Sequence, residues 1–554
     1  MRACAIERTG SDSETDEICC GTCATTKPAV EDIDVVCPDR NADPTTDFFF
    51  ARYTMGWVMM SRFSLGGRAV PLSRVKTAFA GVVALGVVAY GGAVAYLAHF
   101  DHAGAPQIPA GSPSLHDPVS MKAFAAFQEA RCDYCHVAGT NLPFYFKLPL
   151  ANQIMARDLT QGQRHFQFQP IIAAFQAGKP PSVEQLSRIE EVIAQNRMPP
   201  WAYLTLHWHA YLGARQRQDI LAWIQDQRRR YYATPGVAPQ FAGEVIQPIP
   251  ESVPVDWQKA ELGRTLFFDK RLSGNGQLNC ASCHGLNEGG VDRMVTATGI
   301  NGQKGPINTP TVYNAVFNLA QFWNGRAADL AAQAAGPVTN PVEMGSHDWA
   351  SVAAAIAAVP EYATAFESVY GPNSVTEKTV TNAIAEYEKT LITPNGRFDL
   401  YLKGDIQALT AQERRGYERF KQIGCSGCHS GVAVGGDAFE ILGLEGPYFQ
   451  DRDKPMTPVD LGRFAVTQSK ADLQRFKVPN LRNVELTAPY FHDGSAKTLE
   501  QAIRVMARYQ TPDSHIGDQD VADIAAFLKT LTGKYQGMNL KDVPVEPPLR
   551  AAGQ

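Results

Sequence analysis

Apolar and polar positions vary along this chain on two scales. From Thr77 to Ala98 the run TAFAGVVALGVVAYGGAVAYLA has no charged residue. A helix through it, rising about 1.5 Å per residue, spans a hydrocarbon core of roughly 30 Å. Elsewhere, apolar residues recur at helical spacing inside shorter polar stretches. Three of these resemble one another: DILAWIQDQRR from Asp219, AIAEYEKTLI from Ala383 and DIAAFLKTLTG from Asp523, with Trp223, Tyr387 and Phe527 near their middles. Two more, ELGRTLFFDKRLS and ERRGYERFKQIG, also match, with Gly263 aligned to Gly416. Such repetition predicts copies of one small helical unit.

The flanks of the apolar run give it a direction. Arg62, Arg68, Arg74 and Lys76 precede it and Asp101 follows, so the positive-inside bias places the N-terminus in the cytoplasm and the rest outside. Ala93-Val94-Ala95 resembles a signal-peptide cleavage site, but the run exceeds the usual h-region of about 7–15 residues, and a retained anchor is the expectation. Residues 1–58 are polar and without helical periodicity. A start at Met59 or Met60 would leave them outside the protein, and CCGTC within them lacks a second ligand pair for a metal. The proline-rich stretch from Thr234 to Trp257 reads as a semi-rigid linker.

Composition excludes little: 45 % hydrophobic and 19 % charged residues are ordinary, and a formal charge of −5 gives no basic footprint for nucleic acid. The 554 residues suggest three or four domains. The cysteines are more informative. Of 11, five (Cys4, Cys19, Cys20, Cys23, Cys37) precede residue 40, and the other six lie in CDYCH (Cys132, Cys135, His136), CASCH (Cys280, Cys283, His284) and CSGCH (Cys425, Cys428, His429). Cys-x-x-Cys-His attaches a c-type haem through two thioethers and places a histidine on the iron. Zinc would need a second ligand pair.

Three c-type haems are therefore expected, with His136, His284 and His429 as proximal ligands. The fold expected is all-α: an N-terminal transmembrane helix followed by three cytochrome c-like domains. The divisions are a doubtful extension over 1–58, an anchor over 59–100, a mono-haem domain over 101–233, the linker over 234–257, and two domains, 258–395 and 396–554, packed as one body. A sixth ligand closes an iron for electron transfer, and an open face lets it bind substrate. The third unit offers Met506 and Met456, the first Met198, Met155, His165, His207 and His209, and the second Met294 and Met344.

From about Glu261 to Gly533 the chain resembles the bacterial di-haem cytochrome c peroxidases, through GPINTPTVYNAVFNLAQFWNGRAADLAAQAAGPVTNPVEM, EKTLITP and LRNVELTAPYFHDG. With CDYCH, MPPW, YLTLHWHA and the anchor, the chain from residue 60 resembles the membrane-bound tri-haem branch, the quinol peroxidases. The resemblance makes His284 the proximal ligand of the peroxidatic haem, with Glu343 and Gln333 in its distal pocket. Trp323 becomes the aromatic between two haems, and His429 and Met506 the ligands of the electron-transfer haem. Asn308, Thr487 and Pro489 match a calcium site. Met198 is the expected sixth ligand in the first unit. One position departs from the pattern: Ile300 stands where reductively activated members carry a histidine that blocks the iron, with Met294 in the same loop as a candidate to take that histidine's place.

These features imply an enzyme that reduces hydrogen peroxide to water in the periplasm, anchored in the bacterial inner membrane by one pass through the lipid bilayer. The expected donor is membrane quinol, relayed through the first and third haems to the second. A soluble cytochrome c or small copper protein is the alternative donor, and a homodimer is one assembly open to the chain. A non-catalytic electron-transfer cytochrome ranks lower, as does a di-haem enzyme that oxidises a partner protein's tryptophans, since that relative has Tyr where Met506 stands.

Overall fold

The computed structural model describes residues 72–512 and 515–549. Residues 1–58, Met59, Met60, Arg62, Arg68 and the five early cysteines lie outside the described residues. The chain divides into two compact units, Met1–Phe79 and Ala80–Gln554, and of the first only the opening turns of helix Leu72–Ala103 are described. The stretch Lys76–Ala103 within that helix is long and apolar enough to cross a membrane.

Beyond it, one arrangement recurs. Near CDYCH, helix Pro118–Ala130 crosses helix Ala214–Tyr231, and Phe127 meets Trp223 edge-on at 5.8 Å. Near CASCH, Trp257–Phe267 crosses Glu377–Lys389, and Phe267 meets Tyr387 at 5.3 Å. Near CSGCH, Ala411–Ile423 crosses Asp518–Lys529, and Phe420 meets Phe527 at 5.3 Å. The three aromatics singled out by periodicity are thus the same buried crossing residue in each copy. Gly263 and Gly416 also share a function. A Cβ on Gly263 would collide with the Ala383 carbonyl, and one on Gly416 with the Asp523 carbonyl, so both glycines let two helix backbones touch.

Local chemistry sets the helix ends. Asp256 caps the Lys259 amide at the start of Trp257–Phe267, and Thr410 and Glu413 form a reciprocal capping box on Ala411–Ile423. That helix stops at Gly424, which takes the left-handed conformation (φ 101°) and turns the chain directly into Cys425. Strand content is small: Phe439–Ile441 pairs antiparallel with Arg475–Lys477, and Lys534–Tyr535 with Met538–Asn539.

Two segments differ from expectation. The stretch from Thr234 to Trp257 is packed rather than free. Val245, Ile246 and Ile249 are buried, Ile246 bridges to Gly431, and Val245 and Ile246 share a core with Phe398, Phe420 and Phe527. Its prolines carried the linker signal, but its spaced apolar residues decide where it lies. The C-terminal tail, grouped with 396–554, instead places Tyr535, Leu540 and Val543 in the core that holds Phe267 and Tyr387. So short a segment has no periodicity to announce this.

Candidate functional site

Each Cys-x-x-Cys-His motif is a single turn in which the histidine amide donates to the carbonyl of the first cysteine: His136 to Cys132 at 3.2 Å, His284 to Cys280 at 3.0 Å and His429 to Cys425 at 2.9 Å. Each imidazole is then fixed the same way. Nδ1 donates to a backbone carbonyl, from His136 to Phe166 at 2.9 Å, from His284 to Gly290 at 3.2 Å and from His429 to Val434 at 3.1 Å. That hydrogen bond leaves the Nε2 lone pair for a metal. Burial lowers the pKa of all three rings, that of His429 to about 4, so each is neutral. Among the described residues, the two cysteines and the histidine of a motif nowhere converge, alone or with another acid, into a group close enough to hold one metal ion. The donor sets therefore fit covalent c-type haem.

The CSGCH motif opens on a cavity of about 230 Å³ whose walls include Cys425, Cys428, His429 and Met506. The structure thus brings the two expected axial side chains of this unit to one space. Trp323 borders the same cavity and packs in one cluster with Met506, Tyr448 and Phe476. Its indole N–H donates to the Asn308 carbonyl at 2.9 Å. Asn308, Thr487 and Pro489 border the cavity as well. The Asn308 side-chain Nδ2 donates to the Met294 carbonyl at 2.9 Å.

Around CASCH, the short helix Leu330–Thr339 carries partly buried Gln333, and the turn after it carries Glu343. Asn340 Nδ2 donates to Glu343 Oε1 at 2.8 Å, and the Ile300 amide donates to the Glu343 carbonyl at 2.7 Å. Burial raises the Glu343 pKa, against the opposing pull of Arg326 and Asn340. Arg326, stacked on the Phe322 ring at 3.4 Å, is thus the nearby cation. Sequence reasoning missed both Asn340 and Arg326. The asparagine three residues before Glu343 in NPVEM was the available signal. Ile300 is buried, with its side chain against Gly345, whereas Met294 is half exposed.

In the first unit, Met198 is partly buried between helix Val183–Ala194 and the turn Trp201–Leu204. Met155 and His165 lie on helix Ala151–His165, and His165 Nδ1 is 3.6 Å from Glu445. His207 bonds through both ring nitrogens, to Asp101 and Tyr145, which removes it from the candidate iron ligands. The contact least visible in the sequence is that of helix Val183–Ala194 with the CSGCH turn. Gln195 Nε2 donates to the Gln422 carbonyl at 2.8 Å, and a Cβ on Gly424 or Gly427 would collide with the Glu191 carboxylate. Arg188 bridges Glu184 of its own helix and Glu440 of the CSGCH unit.

Paired crossing helices, Cys-x-x-Cys-His turns and a partly buried acid near one of them define a c-type cytochrome built from repeated haem units. The descriptions that match are di-haem cytochrome c peroxidase over residues 257–407, haem-binding domain over 89–226 and cytochrome c over 413–532. The cytochrome c peroxidase Ccp of Escherichia coli is 46 % identical over 414 residues, 75 % of this chain and 88 % of that protein. The cytochrome c551 peroxidase of Nitrosomonas europaea is 48 % identical over 318 residues, 57 % of this chain and 91 % of that protein. A crystal structure of a MauG-like protein associated with microbial copper homeostasis is 29 % identical with a TM-score of 0.48, covering 55 % of this chain and 97 % of that one. The chain belongs to the bacterial di-haem cytochrome c peroxidase family and is an oxidoreductase of the peroxidase type.

Proposed function

We propose that this chain reduces hydrogen peroxide to water at a haem held by CASCH, with two electrons from membrane quinol passing through haems at CDYCH and then CSGCH, three haems in all. The observation that carries the relay is the seating of helix Val183–Ala194, from the CDYCH unit, on the CSGCH turn. A unit that merely trailed on a tether would not need Glu191 fitted against Gly424 and Gly427. Trp323 and Met506, which border the CSGCH cavity and pack against one apolar cluster, support the onward step toward CASCH.

A bound haem would supply the iron at which the O–O bond breaks. The protein's own contribution is proton management. Peroxide needs a proton moved from one oxygen to the other before heterolysis. A carboxylate whose pKa burial raises above its ordinary value holds an accepted proton better than an exposed acid does, yet returns it more readily than a stronger base. Glu343 takes this role. Asn340 fixes one carboxylate oxygen, and Gln333 orients peroxide by hydrogen bonding. The balance is H2O2 + 2 H+ + 2 e− → 2 H2O. Ile300 offers no ligating atom, which supports a resting site already open to peroxide. Oxygen donors at Asn308, Thr487 and Pro489, completed by water, suit one calcium ion. Helix Leu72–Ala103 serves as a retained inner-membrane anchor with the haem units in the periplasm.

The test is peroxide consumption by the detergent-solubilised holoprotein with a reduced short-chain quinol as sole donor. Turnover at a rate comparable to that with an artificial reductant is expected. Turnover with the artificial reductant alone would transfer the donor role to a soluble cytochrome c or copper protein.

A further inference from the structure

The last turn of the apolar helix ends in a polar cluster that none of the peroxidase chemistry uses. Asp101 is buried. Its Oδ1 accepts from the Tyr134 hydroxyl at 2.6 Å, its Oδ2 from His207 Nδ1, and its backbone carbonyl from Arg131 at 2.7 Å. His207 is also buried, accepts from the Tyr145 hydroxyl at 2.9 Å and stacks on the Tyr203 ring at 4.2 Å. His209 Nε2 lies 3.1 Å from Asp101 Oδ2 and is paired with it. His209 Nδ1 and the Tyr203 hydroxyl are buried atoms without a hydrogen-bond partner. Each such atom costs about 1–3 kcal/mol unless something else satisfies it.

Two further features say what that something is. Tyr134 belongs to CDYCH, so the cluster is hydrogen-bonded directly into a haem-attachment turn. Around it, the surface is apolar and continuous with the helix. Trp208 donates to the Tyr90 hydroxyl at 3.2 Å and Phe144 meets Tyr96 at 5.8 Å, and Leu148, Leu150 and Trp201, a few positions along the chain from Phe144 and Trp208, are exposed. Exposed tryptophan and tyrosine at the end of a membrane-spanning helix belong at the headgroup level. A lipid-soluble reductant with hydroxyl groups fits all these features at once.

We propose that Asp101, His207 and His209 form the site where membrane quinol is oxidised, with His209 accepting a hydroxyl proton from the substrate. The inference rests on quinol being the donor. Oxidation breaks two O–H bonds: QH2 → Q + 2 H+ + 2 e−. His209 takes the protons in turn; its ring nitrogens are covered while the side chain as a whole is 25 % exposed, so each proton is released to water by rotation of the ring. Burial lowers its pKa, so the ring is neutral when substrate arrives. The electrons go one at a time to the haem chain, and peroxide is the final oxidant, so QH2 + H2O2 → Q + 2 H2O. Asp101 and His207 are positioning residues, held by Arg131, Tyr134 and Tyr145. The Tyr203 hydroxyl is free to bond the quinol oxygen.

The test uses the solubilised full-length holoprotein and His209→Gln, with Asp101→Asn as a second variant. Three quantities are read: quinol-driven turnover, turnover with an artificial one-electron reductant, and equilibrium binding of a hydroxyquinoline N-oxide quinone analogue. His209→Gln should lower quinol-driven kcat by about 10²-fold or more and weaken analogue binding. Haem absorbance and artificial-donor turnover should stay at wild-type values. The site is overturned if wild-type protein uses quinol and His209→Gln does so equally well. A changed low-spin spectrum in His209→Gln would overturn it by making the ring an iron ligand, and so would a transition metal beyond haem iron in elemental analysis. Absence of quinol turnover in the wild type would remove the donor assignment itself, and the site with it.

Discussion

Replacing Gly263 by alanine separates two physical expectations that point in opposite directions. Gly263 lies inside helix Trp257–Phe267, where alanine is favoured by about 1 kcal/mol on helix propensity alone. Yet a Cβ there would overlap the Ala383 carbonyl oxygen by roughly 1.5 Å relative to ordinary contact. The obstacle is backbone, which has no rotamer to yield, so the two helices must part. Overpacking of this kind costs about 1–3 kcal/mol, and the upper end applies to so large an overlap. A loss of about 3 kcal/mol corresponds to a fall of roughly 6–12 °C in the midpoint of the affected unit. The assay is thermal unfolding of purified holoprotein, followed by circular dichroism and by haem absorbance. Gly111→Ala, where a Cβ meets nothing within 4 Å, serves as the control and should melt like wild type. A Gly263→Ala midpoint within about 2 °C of wild type would refute the claim that backbone contact at this crossing holds the unit together.

Other outcomes follow from the site. Glu343→Gln should keep the haems attached and lower peroxide turnover by about 10²–10⁴-fold; near wild-type activity would exclude Glu343 from the mechanism. Because burial raises the Glu343 pKa, wild-type kcat/KM should fall as pH drops through a value above the ordinary carboxylate range, where the required base becomes protonated, and Glu343→Gln should lose this limb. Met506→Ala and Met198→Ala should each convert one haem to a high-spin or water-ligated form, with Met198→Ala impairing quinol-driven but not artificial-donor turnover; unchanged spectra would reassign those ligands. With Ile300 in place of a ligating residue, the fully oxidised protein should bind cyanide and react with peroxide without a lag. A wholly low-spin resting spectrum and a lag abolished by pre-reduction would contradict that.

What the sequence disclosed depended on whether the signal was local. The haem motifs are five-residue patterns, and Trp223, Tyr387 and Phe527 are visible because 3.6-residue periodicity marks a buried face within a dozen positions. Gly263 and Gly416 could be aligned, but only the structure gives the reason, since their partners Ala383 and Asp523 are more than 100 positions away. The burial of Val245 and Ile246 and the return of Tyr535 and Leu540 to the second core are tertiary facts with no periodic trace. Asp101 is the clearest case. In the sequence it is merely the first charge after an apolar run, while His207 and His209 are two histidines among several candidate ligands. Only folding joins them across about a hundred residues.

The seating of helix Val183–Ala194 on the CSGCH turn has a consequence for kinetics. A surface already covered by Glu191 and Gln195 is closed there to a protein arriving from solution. Encounter with a diffusing donor is steered by charge and weakens as salt rises. A donor unit that is part of the same chain is present instead at a fixed effective concentration. On the proposed relay, transfer between the first and third units should therefore be insensitive to dilution and to ionic strength, and the supply of electrons should vary with the reduced fraction of the pool in the bilayer.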